Sequence, residues 1–386
     1  MAEELFPLNA SELPLSSFHV GAFRGLRDVE LDHLGGINLL VGGGNSGKTS
    51  VLEALHCFAN PIDIGAWAAM VRSREVRANA FMSASPIFDY LRWLFPHNAA
   101  LDDVSDTHLP IRIHGSGAVY VESMQASCEF VKALRPVPRN PFDEDDDESS
   151  DESDEEQERL VEDEGWRFDL SAEVAGELLP QTHSHTYWQR TRYEIPQPSG
   201  VGFRSILLPP YAHRNQPMQA RGLSQAVEDD QKEQVEELLR NLDPNILGVE
   251  IITDKRGIRP LVALRHREAG LAPISVFGDG IRRALMIALA VNQNRGGIIL
   301  VDEIEAALHV SALNKFFPWL ERSCKLNSVQ LFATTHSLEA IGAISGCADP
   351  DNLSAYHLGS GGERSVKRYT GGMLKRLVHE RGLDIR

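Results

Sequence analysis

Three largely apolar runs stand out from an otherwise mixed pattern: Ile37–Val41, broken only by Asn38, the unbroken Ile298–Val301, and the stretch from Val329 to Ala333, broken only by Gln330. Runs of this length with no polar alternation predict strands buried on both faces, as in a parallel sheet. Elsewhere the period is two. Ser17–Phe23 and Val29–Leu31 predict a strand pair joined through Arg24-Gly25-Leu26-Arg27-Asp28. Leu109–His114 and Ala118–Ser123 predict a hairpin across Gly115-Ser116-Gly117, and Leu247–Thr253 with Leu261–Leu264 a second pair around Lys255-Arg256-Gly257. Trp166–Leu170, Thr186–Tyr193 and Phe203–Leu208 alternate in the same way.

Helical spacing appears in Ser50–His56, Ile64–Arg74, Ile87–Phe95 and Ala284–Val291, with Trp67 and Trp93 as packing residues. Leu223–Leu242 predicts one charged helix whose apolar stripe is Val227, Val235, Leu238, Leu239 and Leu242, closed by Asp243-Pro244. No internal repeat emerges. Strands alternating with helices at this spacing predict an α/β fold around a central sheet.

The segment directly after the first apolar run gives the pattern a chemistry. Gly42-Gly43-Gly44-Asn45-Ser46-Gly47-Lys48-Thr49 fits G-x-x-x-x-G-K-[ST], with a strand before it and a helix from Ser50 after it. The glycines let backbone N–H groups turn inward around phosphates, and the helix N-terminus adds partial positive charge. Lys48 can reach the outer phosphates, and the Thr49 hydroxyl can ligate Mg²⁺. Arg24, in the lobe ahead of the loop, is either a nucleotide contact or a solvated turn arginine.

The second run ends in Asp302-Glu303, where the carboxyl end of a central strand would bring both acids beside the loop. Asp302 would then serve the metal, and Glu303 would polarise an attacking water. The third run ends in Thr334-Thr335-His336-Ser337; a histidine at a strand tip can donate to a terminal phosphate. Phe277-Gly278-Asp279-Gly280-Ile281-Arg282-Arg283 precedes an apolar helix and offers a second set of N–H groups to an anion. A whole helix separates it from the acidic strand, so it suits a nucleotide held by another copy of the chain. A magnesium-sensing glutamine is not evident; Gln125 is the nearest candidate. His183-Ser184-His185 lacks nearby partners for a metal and is expected to be a polar turn.

Charge and cysteine content bound the setting. The net charge is −17, but residues 143–164 hold 15 acids and one arginine; taking that −14 out leaves −3 for the rest. The remainder neither indicates nor excludes a nucleic-acid partner. Residues 140–164 are too acidic and too poor in apolar groups to order themselves, and a disordered insertion is expected. The scattered cysteines (57, 128, 324 and 347) form no C-x-x-C pair, which argues against zinc and for a reducing compartment. Met1-Ala2-Glu3-Glu4-Leu5 has no basic segment before an apolar run, and no run reaches the roughly 18 residues that span a bilayer. A cytoplasmic protein without a membrane partner is expected.

The ordered set of motifs resembles the ABC-type ATPases of the SMC-like and OLD-like group. Gly42–Thr49 resembles Walker A, Ile298–Glu303 resembles Walker B, Asp302–His309 resembles Walker B running into the D-loop, and His336 resembles the switch histidine. Phe277–Arg283 is similar to the signature motif in its Gly-Asp-Gly form, with Phe277-Gly278-Asp279 where transporters and SMC proteins have Ser-Gly-Gly. The close, Gly382-Leu383-Asp384-Ile385-Arg386, is also similar to that of the group.

The resemblance implies a P-loop NTPase head: a central mixed or parallel sheet, an antiparallel β lobe and a helical lobe. It would be one domain built from residues 1–135 and 165–386. ATP would be held by Gly42, Gly44, Asn45, Ser46, Gly47, Lys48, Thr49 and Ser50, and across a homodimer or higher even oligomer by Gly278, Asp279 and Gly280. Thr49 and Asp302 would hold Mg²⁺; Glu303, His336 and Lys48 would be catalytic. The 50 residues after His336 are too few for the TOPRIM nuclease domain some of the group carry, so an effector in trans is expected, with DNA a candidate partner in defence against phage or plasmids. The alternatives are a non-hydrolysing ATP sensor that scaffolds a partner, and a transporter-type ATPase subunit. A GTPase fits less well, since no N-K-x-D motif is present.

Overall fold

A computed structural model describes residues 13–74, 90–97, 108–137, 159–179, 182–188, 200–215, 219–253, 260–359 and 366–385. In chain order the strands are β1 Ser17–Phe23, β2 Leu26–Leu31, β3 Ile37–Val41, β4 Ile111–Ser116, β5 Val121–Val137, β6 Arg159–Val174, β7 Glu177–Leu178, β8 His183–Trp188 and β9 Ser205–Leu208. Next come β10 Ile246–Thr253, β11 Pro260–His266, β12 Gly270–Pro273, β13 Ile298–Val301, β14 Gln330–Thr334, β15 Leu353–Leu358 and β16 Val366–Thr370. The main helices are α1 Lys48–Ala59, α2 Ile64–Arg74, α3 Ala212–Asn215, α4 Gln219–Glu228, α5 Lys232–Leu242, α6 Asp279–Gln293, α7 Val310–Leu326 and α8 Leu338–Cys347.

The three apolar runs become β3, β13 and β14, inside a six-stranded sheet ordered β16-β15-β3-β14-β13-β9. All its pairings are parallel except β15–β16. Every residue of β3, β13 and β14 is buried. Successive side chains point to opposite faces, so one strand feeds two cores. Leu39, Val41, Ile299, Val301, Leu331 and Ala333 join the core built with α4–α8. Leu40, Ile298, Leu300 and Phe332 join the core that includes α1 and the N-terminal sheet. That antiparallel sheet runs β2-β1-β4-β5-β6-β7, with β8 also on β6. A third sheet, β10-β11-β12, leads into the loop before α6.

Several expectations are corrected. Residues 138–158 lie outside the described residues, but Arg159–Glu164, expected within the disordered insertion, form the start of β6 against Lys132–Val137. Cross-strand pairing accounts for this: Glu164 meets Lys132, and Asp163 lies 3.8 Å from Arg135. The single helix over Leu223–Leu242 is two helices. Asp230 takes φ +61° between α4 and α5, and Val227 is exposed rather than part of the stripe. His183–His185 belong to strand β8, not to a turn. Trp67 is fully buried, whereas Trp93 is half exposed under the Arg92 guanidinium. Residues 87–89, 189–193 and 254–259, within elements expected from the sequence, lie outside the described residues, as does Arg386.

Candidate functional site

At the end of β3 the chain turns through Gly42 at φ +144°, Asn45 at φ +59° and Gly47 at φ +94° before α1 starts at Lys48. A Cβ on Gly42 would lie 2.5 Å from the Leu358 carbonyl oxygen, so glycine is required there by φ and by space alike. The Lys48 ammonium folds back under the loop and donates to Gly42 O and Gly43 O, each at 2.8 Å, and to Ser46 Oγ at 3.3 Å. Burial lowers its pKa, while the charges of Asp302, Glu303 and Glu305 oppose that.

The parallel register sets the acids opposite this loop. Thr49 Oγ1 lies 3.2 and 3.1 Å from the two Asp302 carboxylate oxygens, and Thr334 Oγ1 donates to Asp302 Oδ1 at 2.6 Å. The turn after β13 is stitched to the end of β14: Glu303 N donates to Thr334 Oγ1 at 2.8 Å, Ile304 N to Thr334 O at 3.0 Å and His336 N to Glu305 Oε1 at 2.9 Å. Glu303 holds φ +46°, a conformation that costs a non-glycine residue and recurs at functional sites. A cavity of about 200 Å³ is lined by Asn45, Ser46, Gly47, Lys48, Thr49, Ser50, Arg74, Asp302, Glu303 and His336. Nine of these were expected from the sequence. An adjoining cavity of about 290 Å³ shares Thr49, Arg74 and Asp302 and has apolar walls at Met70, Leu207 and Pro209.

Two hard oxygen donors, Thr49 and Asp302, face the loop at the distance of a direct hydrogen bond. That set fits Mg²⁺, which takes few protein ligands and completes its shell with water and phosphate oxygens. Among the described residues no group of three His, Cys, Asp or Glu side chains forms a protein-only metal site.

The structure puts other expected residues elsewhere. Arg24 lines neither of the two cavities described above, and its side chain is part-buried rather than solvated. Its Nε lies 2.8 Å from Glu53 Oε2, and a nearly fully buried carboxylate draws it inward. Gln125 sits exposed on β5, opposite Arg112 of β4. Gly278, Asp279 and Gly280 start α6 and do not line the cavity. Asp279 is bound by Arg214, with Arg282 Nη1 at 3.1 Å and His213 Nε2 at 3.6 Å; the Arg214 hydrogen bond holds its carboxyl below the usual range.

Sequence reasoning missed three side chains. Arg74, from the end of α2, reaches the cavity while its Nε lies 2.6 Å from Glu53 Oε1. Burial pushes the Glu53 carboxyl up, and the Arg24 and Arg74 charges oppose it. Glu53 between Leu52 and Ala54, on a helix face that is otherwise apolar, was the available signal. Arg283, fully buried on α6, donates to Pro209 O at 2.6 Å and Asp302 O at 2.9 Å; burial pushes its pKa down to about 10. Glu305 holds the His336 peptide.

Walker A- and Walker B-type elements facing each other on a parallel sheet, with a strand-end histidine, an antiparallel β lobe and a glycine loop before α6, make this a P-loop NTPase fold. Residues 132–342 match the family described as "AAA domain, putative AbiEii toxin, Type IV TA system", and the chain belongs to that family. The match takes in α6, Asp302, Glu303 and His336; the P-loop precedes it.

An uncharacterized protein of Methanocaldococcus jannaschii is 45% identical over 65 residues, 17% of this chain and 57% of that protein. A Helicobacter pylori protein named ATP/GTP phosphatase is 29% identical over 114 residues, 28% of this chain and 30% of that one. The chain thus spans less than two thirds of these curated relatives. Among solved structures, an Smc head bound to the C-winged helix domain of ScpA gives a TM-score of 0.47 at 12% identity, over 96% of this chain and 99% of that one. A Pyrococcus furiosus Smc head with an extended coiled coil, bound to the C-terminal domain of ScpA, gives 0.48 at 11% identity, over 96% and 100%. No helix among the described residues is long and apolar enough to cross a membrane.

Proposed function

We propose that the protein hydrolyses ATP at this cavity and uses two ATP molecules to close a homodimer, each nucleotide held by the P-loop of one copy and the Gly278–Gly280 loop of the other. The observation that carries the reading is the convergence of Lys48, Thr49, Asp302, Glu303 and His336 on one pocket from three strand ends. The Gly42–Thr49 backbone and Lys48 cradle the phosphates, and Lys48 exchanges its carbonyl partners for phosphate oxygens. Magnesium held by Thr49 and Asp302 would offset charge on the bridging oxygens. Glu303 accepts a proton from the attacking water, and His336 donates to the terminal phosphate. Binding energy enters as closure, and hydrolysis releases it as opening.

A setting in defence against phage or plasmids, with an effector in trans and DNA a candidate partner, rests on analogy with the group that the motifs resemble.

Glu303→Gln, purified with its co-purifying chains and weighed in solution with and without ATP and Mg²⁺, tests the reading. Bound ATP, arrested turnover and a doubled mass are expected. Unchanged mass with ATP demonstrably bound would remove the dimer sandwich. Wild-type turnover in Glu303→Gln would remove Glu303 as the base.

A further inference from the structure

The turn Asp302-Glu303-Ile304-Glu305 carries a second glutamate that the roles above leave unused. Its surroundings are specific. Glu303 at φ +46° reverses the chain, Ala306 N closes on Glu303 O at 2.8 Å, and Glu305 is thereby aimed back at the end of β14. There Glu305 Oε1 accepts the His336 backbone N–H at 2.9 Å, while Oε2 is buried and accepts no hydrogen bond among the described residues. The peptides flanking His336 have other anchors. Thr335 N donates to Leu40 O at 3.2 Å, and Ser337 N to Thr335 Oγ1 at 3.1 Å. Glu305 is therefore the side chain that fixes the peptide of the histidine itself.

An imidazole carried on a strand end can reach a terminal phosphate only if that peptide keeps its orientation. A misplacement of about 1 Å in a reacting group costs on the order of a hundredfold in rate. We propose that Glu305 is a positioning residue for hydrolysis. Through the His336 peptide it sets where the imidazole stands at the Glu303 end of the cavity. It therefore governs turnover and leaves nucleotide binding, which belongs to the loop and Lys48, untouched. This assignment rests on the hydrolysis reading above.

The experiment uses the full chain and four variants: Glu305→Ala, Glu305→Gln, His336→Ala and the double Glu305→Ala/His336→Ala. Steady-state kcat and KM for ATP are measured, with the affinity for a fluorescent non-hydrolysable ATP analogue. Glu305→Ala is expected to lower kcat about ten- to a hundredfold, with KM and analogue affinity within about twofold. Glu305→Gln keeps an amide oxygen for the His336 N–H and is expected to restore kcat to within about threefold of wild type. In the His336→Ala background the Glu305→Ala change is expected to cost less than about twofold more, because the two act as a unit. The assignment is overturned by a Glu305→Ala enzyme with wild-type kcat, by equal losses in affinity and kcat, by a glutamine variant as damaged as alanine, or by losses that multiply in the double variant. Wild-type protein that binds the analogue without turning ATP over would overturn the hydrolysis reading and this assignment together. An active wild type with an unaffected Glu305→Ala would overturn this assignment alone.

Discussion

Gly42 and Gly44 lie two residues apart in one loop, yet their surroundings predict opposite responses to a single added methyl group. At Gly42, φ is +144°, and a Cβ would stand 2.5 Å from the Leu358 carbonyl oxygen and 2.9 Å from Ser46 Oγ. The first obstacle is backbone of β15 and cannot swing aside. Strain at such a φ costs roughly 1–3 kcal/mol, and forcing the overlap apart adds roughly 1–3 kcal/mol. Gly42→Ala should therefore lose about 2–6 kcal/mol of folding stability. At Gly44 a Cβ meets nothing within 4 Å and φ is not in the positive range, so Gly44→Ala should change stability by less than about 0.5 kcal/mol. Urea unfolding followed by tryptophan fluorescence measures both. With a slope of about 3 kcal/mol/M, Gly42→Ala moves the midpoint down by about 0.7–2 M at unchanged slope. Because Gly42 O is also a Lys48 partner, nucleotide affinity should fall in the same variant. Equal midpoints for the two variants would refute the argument that the loop is held against β15.

Lys48→Ala should abolish binding of a fluorescent ATP analogue, and near-wild-type affinity would end the P-loop assignment. Arg74→Ala should weaken that binding about tenfold, the scale of one partly exposed charge-assisted contact; an unchanged titration would mean that Arg74 only packs against Glu53. His56 has its pKa pushed down to about 4 by burial, against about 6.5 in the unfolded chain. The unfolded state therefore takes the proton first, and stability should fall by about 2–3 kcal/mol as pH drops from about 6.5 to about 4. His56→Gln should flatten that slope, and an identical pH profile would remove His56 as its source. Deleting residues 143–158 should leave steady-state ATP turnover within about twofold of wild type; a large loss would give the acidic run a part in the cycle.

The central sheet was legible because its strands are buried on both faces, which forces largely apolar runs, and because loop, acids and histidine sit at strand ends that parallel register must align. The Asp229–Gln231 break was not legible. The apolar period continues across it, and the break depends on Asp230 taking a positive φ and on Gln231 reaching Asn327 at 2.9 Å, 96 residues away. Arg159–Glu164 misled for a different reason. Composition reports what a segment can bury alone, and here β5 supplies Lys132 and Arg135 to neutralise it. Arg74 and Arg283 escaped because each is placed by a partner distant in sequence, Glu53 and the Asp302 carbonyl, with no spacing to announce it.

Beyond Gly165, the last residue of β6 opposite β8, β5 and β6 run on over Lys132–Val137 and Arg159–Glu164, paired among the described residues only with each other. Six residues of strand rise about 20 Å, more than two screening lengths at physiological ionic strength, where the Debye length is about 8 Å. A charge at one end of that pair is therefore electrically silent at the other, and each end acts on its own surroundings independently.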